Sequence, residues 1–279
     1  MALCGVAHRR IQRGQSAISF MALNLAGLLM EEGKHFIGVG DTGHRAAKEL
    51  CRIYEEMRGC LFESEQDRPH NHLRIHSYPC AETACFDDKD HLVILVGSLI
   101  DPGLQDARTS FHESRPYLML TVGVDDQTGI DADDIQPLPD ECLIFPDTSL
   151  SVPVKLAQLV LQIFLIHTPW YISKRGALIG YDLYDTKQLF GGKVVKAISM
   201  TSDRAHYRQN FSMFLDKNRA GIMQTKGILM SVWGLSIMQA NEILKEAKLL
   251  LTAGADELFT CHNLPADEPN ILVTLFLAF

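Results

Sequence analysis

Three groups of residues in this chain have types and spacings that can do chemistry. The first is Gly38-x-Gly40-x-x-Gly43, within GVGDTG, which follows the apolar run His35 to Val39 and precedes a helical stretch from His44 to Met57. Strand, glycine turn and helix in that order suit a phosphate: glycines let the backbone turn tightly and approach a ligand, and the first free N–H groups of the helix favour an anion. The same three glycines serve strand-to-helix packing equally well. The second group is Asp182 and Asp185, two carboxylates three residues apart leading a helix. They can position water or a cation, or they can cap that helix. The third is His70, His72, His76, Cys80 and Cys85, in the polar region from Glu63 to Asp90. Imidazole and thiolate together suit zinc. The spacing holds no C-x-x-C or H-x-x-x-H element, however, and the region reads as a solvated loop. The acidic stretch Asp125 to Asp140 lacks the central Gly and terminal Glu of a calcium loop. No metal site is expected.

The elements that must position these groups follow from apolar patterning. His91 to Gly97 and Tyr117 to Val124 are continuous apolar runs, the type buried on two faces of a parallel sheet. Glu141 to Pro146 reads as a short strand. Val152 to Thr168 is apolar almost all round and reads as a largely buried central helix. Beyond Lys193, strands are expected at Val194 to Met200, Gly227 to Trp233, Glu257 to His262 and Ile271 to Phe279, with helices at Asp203 to Asn218 and Ser236 to Leu251. Alternating strand and helix give an α/β chain with a second, smaller sheet.

Composition narrows the function classes. The chain has 279 residues, 47% of them hydrophobic and 22% charged, so it folds rather than remaining disordered. Its 26 Lys and Arg against 34 Asp and Glu leave a net charge of -8, which argues against nucleic acid, since phosphate backbones need clustered basic residues. Seven irregularly placed cysteines read as reduced, mostly buried thiols of a cytoplasmic protein. Ala17 to Met30 follows Arg9, Arg10 and Arg13 in the order of a signal peptide, but no small-x-small site follows, and the run is shorter than the ~20 residues a membrane span needs. It reads as a packed amphipathic helix, or as an extension preceding a working start near Met30, with a membrane-surface or export role as the remaining alternative.

The last ninety or so residues resemble the C-terminal domain of FtsZ, the bacterial tubulin homologue. The family's order of Gly-Val-Leu strand, turn, helix, short strand and terminal V-T-x-x-x-x-G-F strand is matched by Gly227-Ile228-Leu229 through Gly234, Asn241 to Ala247, Glu257-Leu258-Phe259, and Val273-Thr274 through Phe279. Asp203-Arg204-Ala205 is similar to the family's Asp-Arg-Ala step at a helix start. Ile179 to Asp185 resembles the synergy loop, with Asp182 and Asp185 at its two acidic positions and Gly180 in place of its Asn. Phe36 to Ala47 resembles the first phosphate loop, and Leu92 to Gly97 the strand before the tubulin signature. There the family places Gly-Gly-Gly-Thr-Gly-Thr-Gly, and this chain has Ser98-Leu99-Ile100-Asp101-Pro102-Gly103. Leu99 and Ile100 are too bulky for a backbone wrap, Pro102 lacks an N–H, and Asp101 repels phosphate.

The resemblance implies a Rossmann-like parallel-sheet domain joined by a central helix to a smaller α+β C-terminal domain. Its expected parts are an N-terminal extension over residues 1–32, a nucleotide-type domain over 33–168, a synergy-loop-like linker over 169–192 and an activation-type domain over 193–279. It implies GTP held by Gly38, Gly40, Asp41, Thr42 and Gly43, weakly or not at all given the altered loop, with Mg²⁺ only if GTP binds. It implies that Asp182 and Asp185 act catalytically in the pocket of the next subunit. The expected partner is a second copy or another FtsZ-like protein, without the family's C-terminal partner-binding tail. The reading is of a self-associating cytoskeletal or scaffold protein. Two others stay open: a GTPase completed between subunits, and a Rossmann-type dinucleotide-binding protein with Glu63 or Glu65 near the ribose.

Overall fold

The structure is a computed structural model that describes residues 34–61, 73–78, 92–114, 116–124, 135–147, 150–166, 183–262 and 270–279. Asp182, Glu63, Glu65, His70, His72, Cys80, Cys85 and the segment Ala17 to Met30 lie outside these residues. Strands β1 (Lys34–Gly38), β2 (Leu73–Ser77), β3 (Leu92–Ser98), β4 (Leu118–Val124), β5 (Glu141–Pro146), β6 (Lys193–Asp203), β7 (Gly227–Trp233), β8 (Asp256–His262) and β9 (Asn270–Ala278) form one sheet in the order β2-β1-β3-β4-β5-β6-β9-β7-β8. All pairings are parallel except those of β9 with β6 and β7. The α/β class expected from the sequence is the one observed.

The six described helices are α1 (Gly40–Leu61), α2 (Pro102–Glu113), α3 (Pro153–Ile166), α4 (Leu183–Phe190), α5 (Tyr207–Gln224) and α6 (Ile237–Lys248). Because side chains alternate across a strand, each buried strand feeds two layers. On one face Phe36, Ile94, Val96 and Leu120 pack with Ala46, Leu50 and Ile53 of α1 and Leu156, Val160 and Ile163 of α3. On the opposite face Ile37, Val93, Leu95 and Met119 meet Leu104, Ala107 and Phe111 of α2. At the other end of the sheet Ile228, Met230, Val232, Val273 and Leu275 are covered by Phe211 and Leu215 of α5 and Ala240 and Ile243 of α6.

The smaller sheet anticipated from the sequence is continuous with the larger one. Strand β6 is 11 residues long, not the seven expected, and pairs on both edges: Lys193–Ala197 run parallel to Cys142–Pro146 of β5, and Val195–Asp203 antiparallel to Asn270–Ala278 of β9. The layer containing α1 and α3 extends across this joint to Leu229, Trp233, Leu272 and Phe276. It carries a polar seam: the Thr274 hydroxyl donates to Gln162 Oε1 of α3 at 2.7 Å and lies 2.8 Å from Ser199 Oγ.

Three other elements depart from expectation. Strand β2 falls inside the region read as a loop; it is a five-residue edge strand whose Ile75 reaches the core, and its polar residues mask the alternation. Helix α2 escapes apolar patterning because Leu104, Ala107 and Phe111 are few and set among polar residues, although Asp101 followed by Pro102 is a helix-start signal. Helix α5 begins at Tyr207, since β6 continues to Asp203 and the carboxylate there shapes the turn. Asp203 Oδ1 accepts the Ala205 and His206 backbone N–H groups at 2.9 and 3.0 Å, and the His206 ring Nδ1 at 2.9 Å. Desolvation alone raises the Asp203 carboxyl; the hydrogen bonds from His206 and Ala205 outweigh it and hold the carboxyl below its usual range.

Helix α2 is fixed by a buried ion pair. Arg108 Nε and Nη2 donate to Glu141 Oε1 and Oε2 at 2.8 and 2.6 Å, with both side chains almost fully excluded from solvent. Most of the remaining hydrogen-bonding capacity is used as well. Arg108 also donates to Gln105 Oε1 and to the Gln136 carbonyl, while Glu141 accepts from the Thr121 hydroxyl and the Leu138 N–H. A buried pair stabilises only when so completed, and removing one partner strands the other charge. Arg108→Met is therefore expected to cost about 3–5 kcal/mol in urea unfolding, and Arg108→Met/Glu141→Gln to recover part of that loss. A single variant as stable as the parent contradicts the assignment.

The described thiols differ in access: Cys51 is exposed, whereas Cys142 and Cys261 are buried. Burial, reinforced by the neighbouring Glu141 carboxylate, raises Cys142 well above an ordinary thiol, with Lys193 opposing. Burial alone pushes Cys261 up to about 11. At pH 8 the Cys261 thiolate is then about one part in a thousand. Iodoacetamide labelling of the native protein, resolved by peptide mass spectrometry, should modify Cys51 and spare Cys142 and Cys261; equal labelling of all three contradicts this packing.

Candidate functional site

In an open parallel sheet, ligands bind beyond the carboxyl ends of the strands where the strand order reverses. Here the chain passes from β1 outward to β2, then returns to β3 on the other side of β1 and continues to β4 and β5. The reversal lies between β1 and β3. Helix α1 leaves β1 on one face of the sheet and α2 leaves β3 on the other, so two helix N-termini flank one crevice. Each carries about half a positive charge and unsatisfied N–H groups.

The glycine motif lies at this place, and each glycine has a steric reason of its own. A Cβ on Gly38 would lie 2.2 Å from the Gly43 carbonyl oxygen, and one on Gly43 would lie 2.1 Å from the Val96 carbonyl oxygen. Gly38 and Gly43 thus let the first turn of α1 rest directly on β1 and β3. Gly40 has φ +64°, a left-handed conformation that glycine adopts without cost. The Val39 N–H donates to the Val96 carbonyl at 2.8 Å, tying the turn to β3. Helix α1 begins at Gly40 rather than His44, so the motif is a direct strand-to-helix step.

Of the other residues expected near a phosphate, Asp41 points away: it is exposed and ion-paired with Arg45 one turn on, at 2.7 Å. Thr42 is half-buried in the first turn of α1. Asp185 is partly buried in the first turn of α4. Asp182 lies outside the described residues, so the pair of carboxylates is not seen together. His76 belongs to β2, where its ring stacks on His35 with centroids 5.4 Å apart and Nε2 3.2 Å from His35 Nδ1. No cluster of metal-ligating side chains occurs among the described residues.

After β3 the chain makes a tight turn into α2. The Asp101 N–H donates to the Ser98 carbonyl at 3.1 Å and the Leu104 N–H to the Asp101 carbonyl at 3.0 Å. The Leu99 side chain is buried, filling the space where a Cβ on Gly123 would lie, 2.2 Å from Leu99 Cδ2. Ile100 is half exposed. Asp101 is the N-cap of α2, its Oδ1 accepting the Gly103 N–H at 2.9 Å. Its other oxygen faces the first helix: a Cβ on Gly40 would lie 2.0 Å from Asp101 Oδ2. A carboxylate therefore stands between the two helix N-termini, at the left-handed glycine. The sequence marked Asp101 as repelling phosphate but carried no signal that it touches Gly40, 61 residues earlier.

No protein-family model matches the chain, and no curated protein does. Solved structures do. The FtsZ dimer of M. jannaschii, in its empty form, aligns with a TM-score of 0.58 at 15% identity over 90% of this chain and 89% of that one. CetZ2 from Haloferax volcanii, a GTPγS-bound protofilament, aligns with a TM-score of 0.55 at 9% identity over 88% and 92%. CetZ from Methanosaeta thermophila gives 0.53 at 12% identity over 89% and 87%. No described helix is long and apolar enough to cross a membrane. The agreement extends over nearly the whole of each chain, and the protein has the FtsZ/tubulin-like fold.

Proposed function

We propose that this chain is a divergent FtsZ/tubulin-like cytoskeletal or scaffold protein that self-associates and has lost or reduced GTP binding and hydrolysis. The fold supports the class, and two of the similar structures are a dimer and a protofilament. The observation that carries the reading is the turn after β3. Polyphosphate is gripped by successive backbone N–H groups in a glycine-rich wrap. Here the backbone is folded instead into the first turn of α2, with Leu99 anchored in the core, Pro102 offering no N–H, and Asp101 Oδ1 taking the Gly103 N–H. These residues do not fit a triphosphate. Gly38, Gly40 and Gly43 remain, but backbone packing explains Gly38 and Gly43, and Gly40 has the Asp101 carboxylate against it.

In this reading the carboxylates of Asp182 and Asp185 have no triphosphate to act on in a neighbouring copy, and Mg²⁺ has no phosphate to bridge. Assembly rests on surface complementarity rather than on nucleotide turnover. Titrating GTP with Mg²⁺ into the purified protein while recording light scattering tests both halves. The expected result is no saturable GTP binding, with scattering above that of a monomer and unchanged by nucleotide. Micromolar affinity with turnover rising steeply with protein concentration favours a GTPase completed between subunits; a shift in thermal unfolding with NAD alone favours a dinucleotide-binding protein.

A further inference from the structure

We propose that Asp101 is a built-in anion, occupying a phosphate seat that the fold still forms between β1 and β3, and that removing its charge reopens that seat to pyrophosphate. This rests on the reading above that nucleotide binding is lost or reduced, and it names the residue responsible.

Capping alone does not account for the placement. An N-cap aspartate needs one oxygen for its own helix, and Asp101 Oδ1 meets that need with the Gly103 N–H at 2.9 Å. Oδ2 is turned across the crevice to α1, close enough to exclude any side-chain atom on Gly40. Two helix N-termini supply about one positive charge together. One carboxylate matches it. An external phosphate would instead have to share the crevice with that carboxylate, like charge against like charge.

A second observation points to a polar occupant. Ser98, the last residue of β3, is only 8% exposed, and its Oγ has no hydrogen-bond partner. It lies on the same face of β3 as Val96, the face covered by α1. A buried hydroxyl left unpaired is costly, and it stands at the carboxyl end of the strand, three residues before Asp101. The left-handed Gly40 and the two helix ends form the seat in which the carboxylate stands; the Ser98 hydroxyl, which that carboxylate does not bond, is the polar group an incoming phosphate would satisfy.

The test is calorimetric titration of pyrophosphate, without metal and at constant ionic strength, into the full chain and three variants. Asp101→Ser keeps a capping oxygen of equal rank while shortening the side chain and removing its charge. Asp101→Asn keeps the shape and removes only the charge. Asp106→Asn removes one negative charge from the exposed face of α2 and controls for net charge. The expected result is at least about a tenfold gain in pyrophosphate affinity for Asp101→Ser, a smaller gain for Asp101→Asn and none for Asp106→Asn. Circular dichroism verifies folding, and should Asp101→Ser not fold, a gain in Asp101→Asn carries the test. No gain in a folded Asp101 variant, or an equal gain in Asp106→Asn, overturns the proposal. If the parent binds neither GTP nor pyrophosphate and the variants bind no better, this inference alone fails. If the parent binds GTP in the micromolar range, the proposed function fails as well.

Discussion

The two-sided pairing of β6 is the constraint on which the rest of the structure depends. Its first residues complete the parallel sheet beside β5, and from Val195 onward it also starts an antiparallel pairing with β9. A strand in that position leaves no edge between the two halves, so their backbone groups satisfy one another rather than water. The core follows the same logic. The layer under α1 and α3 continues without a break to Trp233 and Phe276, and Gln162 of α3 is hydrogen-bonded to Thr274 of β9. Helix α3 is thereby held against both halves.

The crevice inherits its shape from this sheet. Parallel strands with helices on alternate faces bring two helix N-termini together wherever the strand order reverses, and the fold makes that positive corner whether or not a ligand uses it. Close packing at Gly38 and Gly43 sets how near α1 lies to β3. The buried Arg108–Glu141 pair fixes α2 to β5 and, through Thr121, to β4. With both helices held, the position of Asp101 is determined by the scaffold, and the carboxylate lies where the field of both helices is favourable.

Apolar patterning identified the strands buried on two faces because their whole run is hydrophobic; Leu92–Ser98, Leu118–Val124 and Gly227–Trp233 are buried throughout. In the C-terminal half the order of elements was also legible, as was the start of α6, where Ser236 and Gln239 form a capping box, although the bounds of β6 and α5 were not. Local signals failed where tertiary contacts supply the stabilisation. The edge strand β2 is held by pairing with β1 and by His76 stacked on His35. The Arg108–Glu141 pair, 33 residues apart, leaves no local pattern to find.

The candidate site divides along the same line. By itself the sequence determined the α/β class, the strand-to-helix step at Gly38 to Gly43 and the absence of a glycine wrap after β3, because each is written in residues adjacent along the chain. Tertiary structure decided what those residues do. Gly40 is opposite Asp101, Leu99 is under Gly123, and Arg108 is on Glu141 only because the sheet order brings β1, β3, β4 and β5 side by side. A contact between side chains far apart in sequence exists only once the backbone hydrogen bonds of the sheet have fixed its register. The carboxylate that the sequence marks only as repelling phosphate is, in the folded chain, the cap of α2 and the anion between two helices.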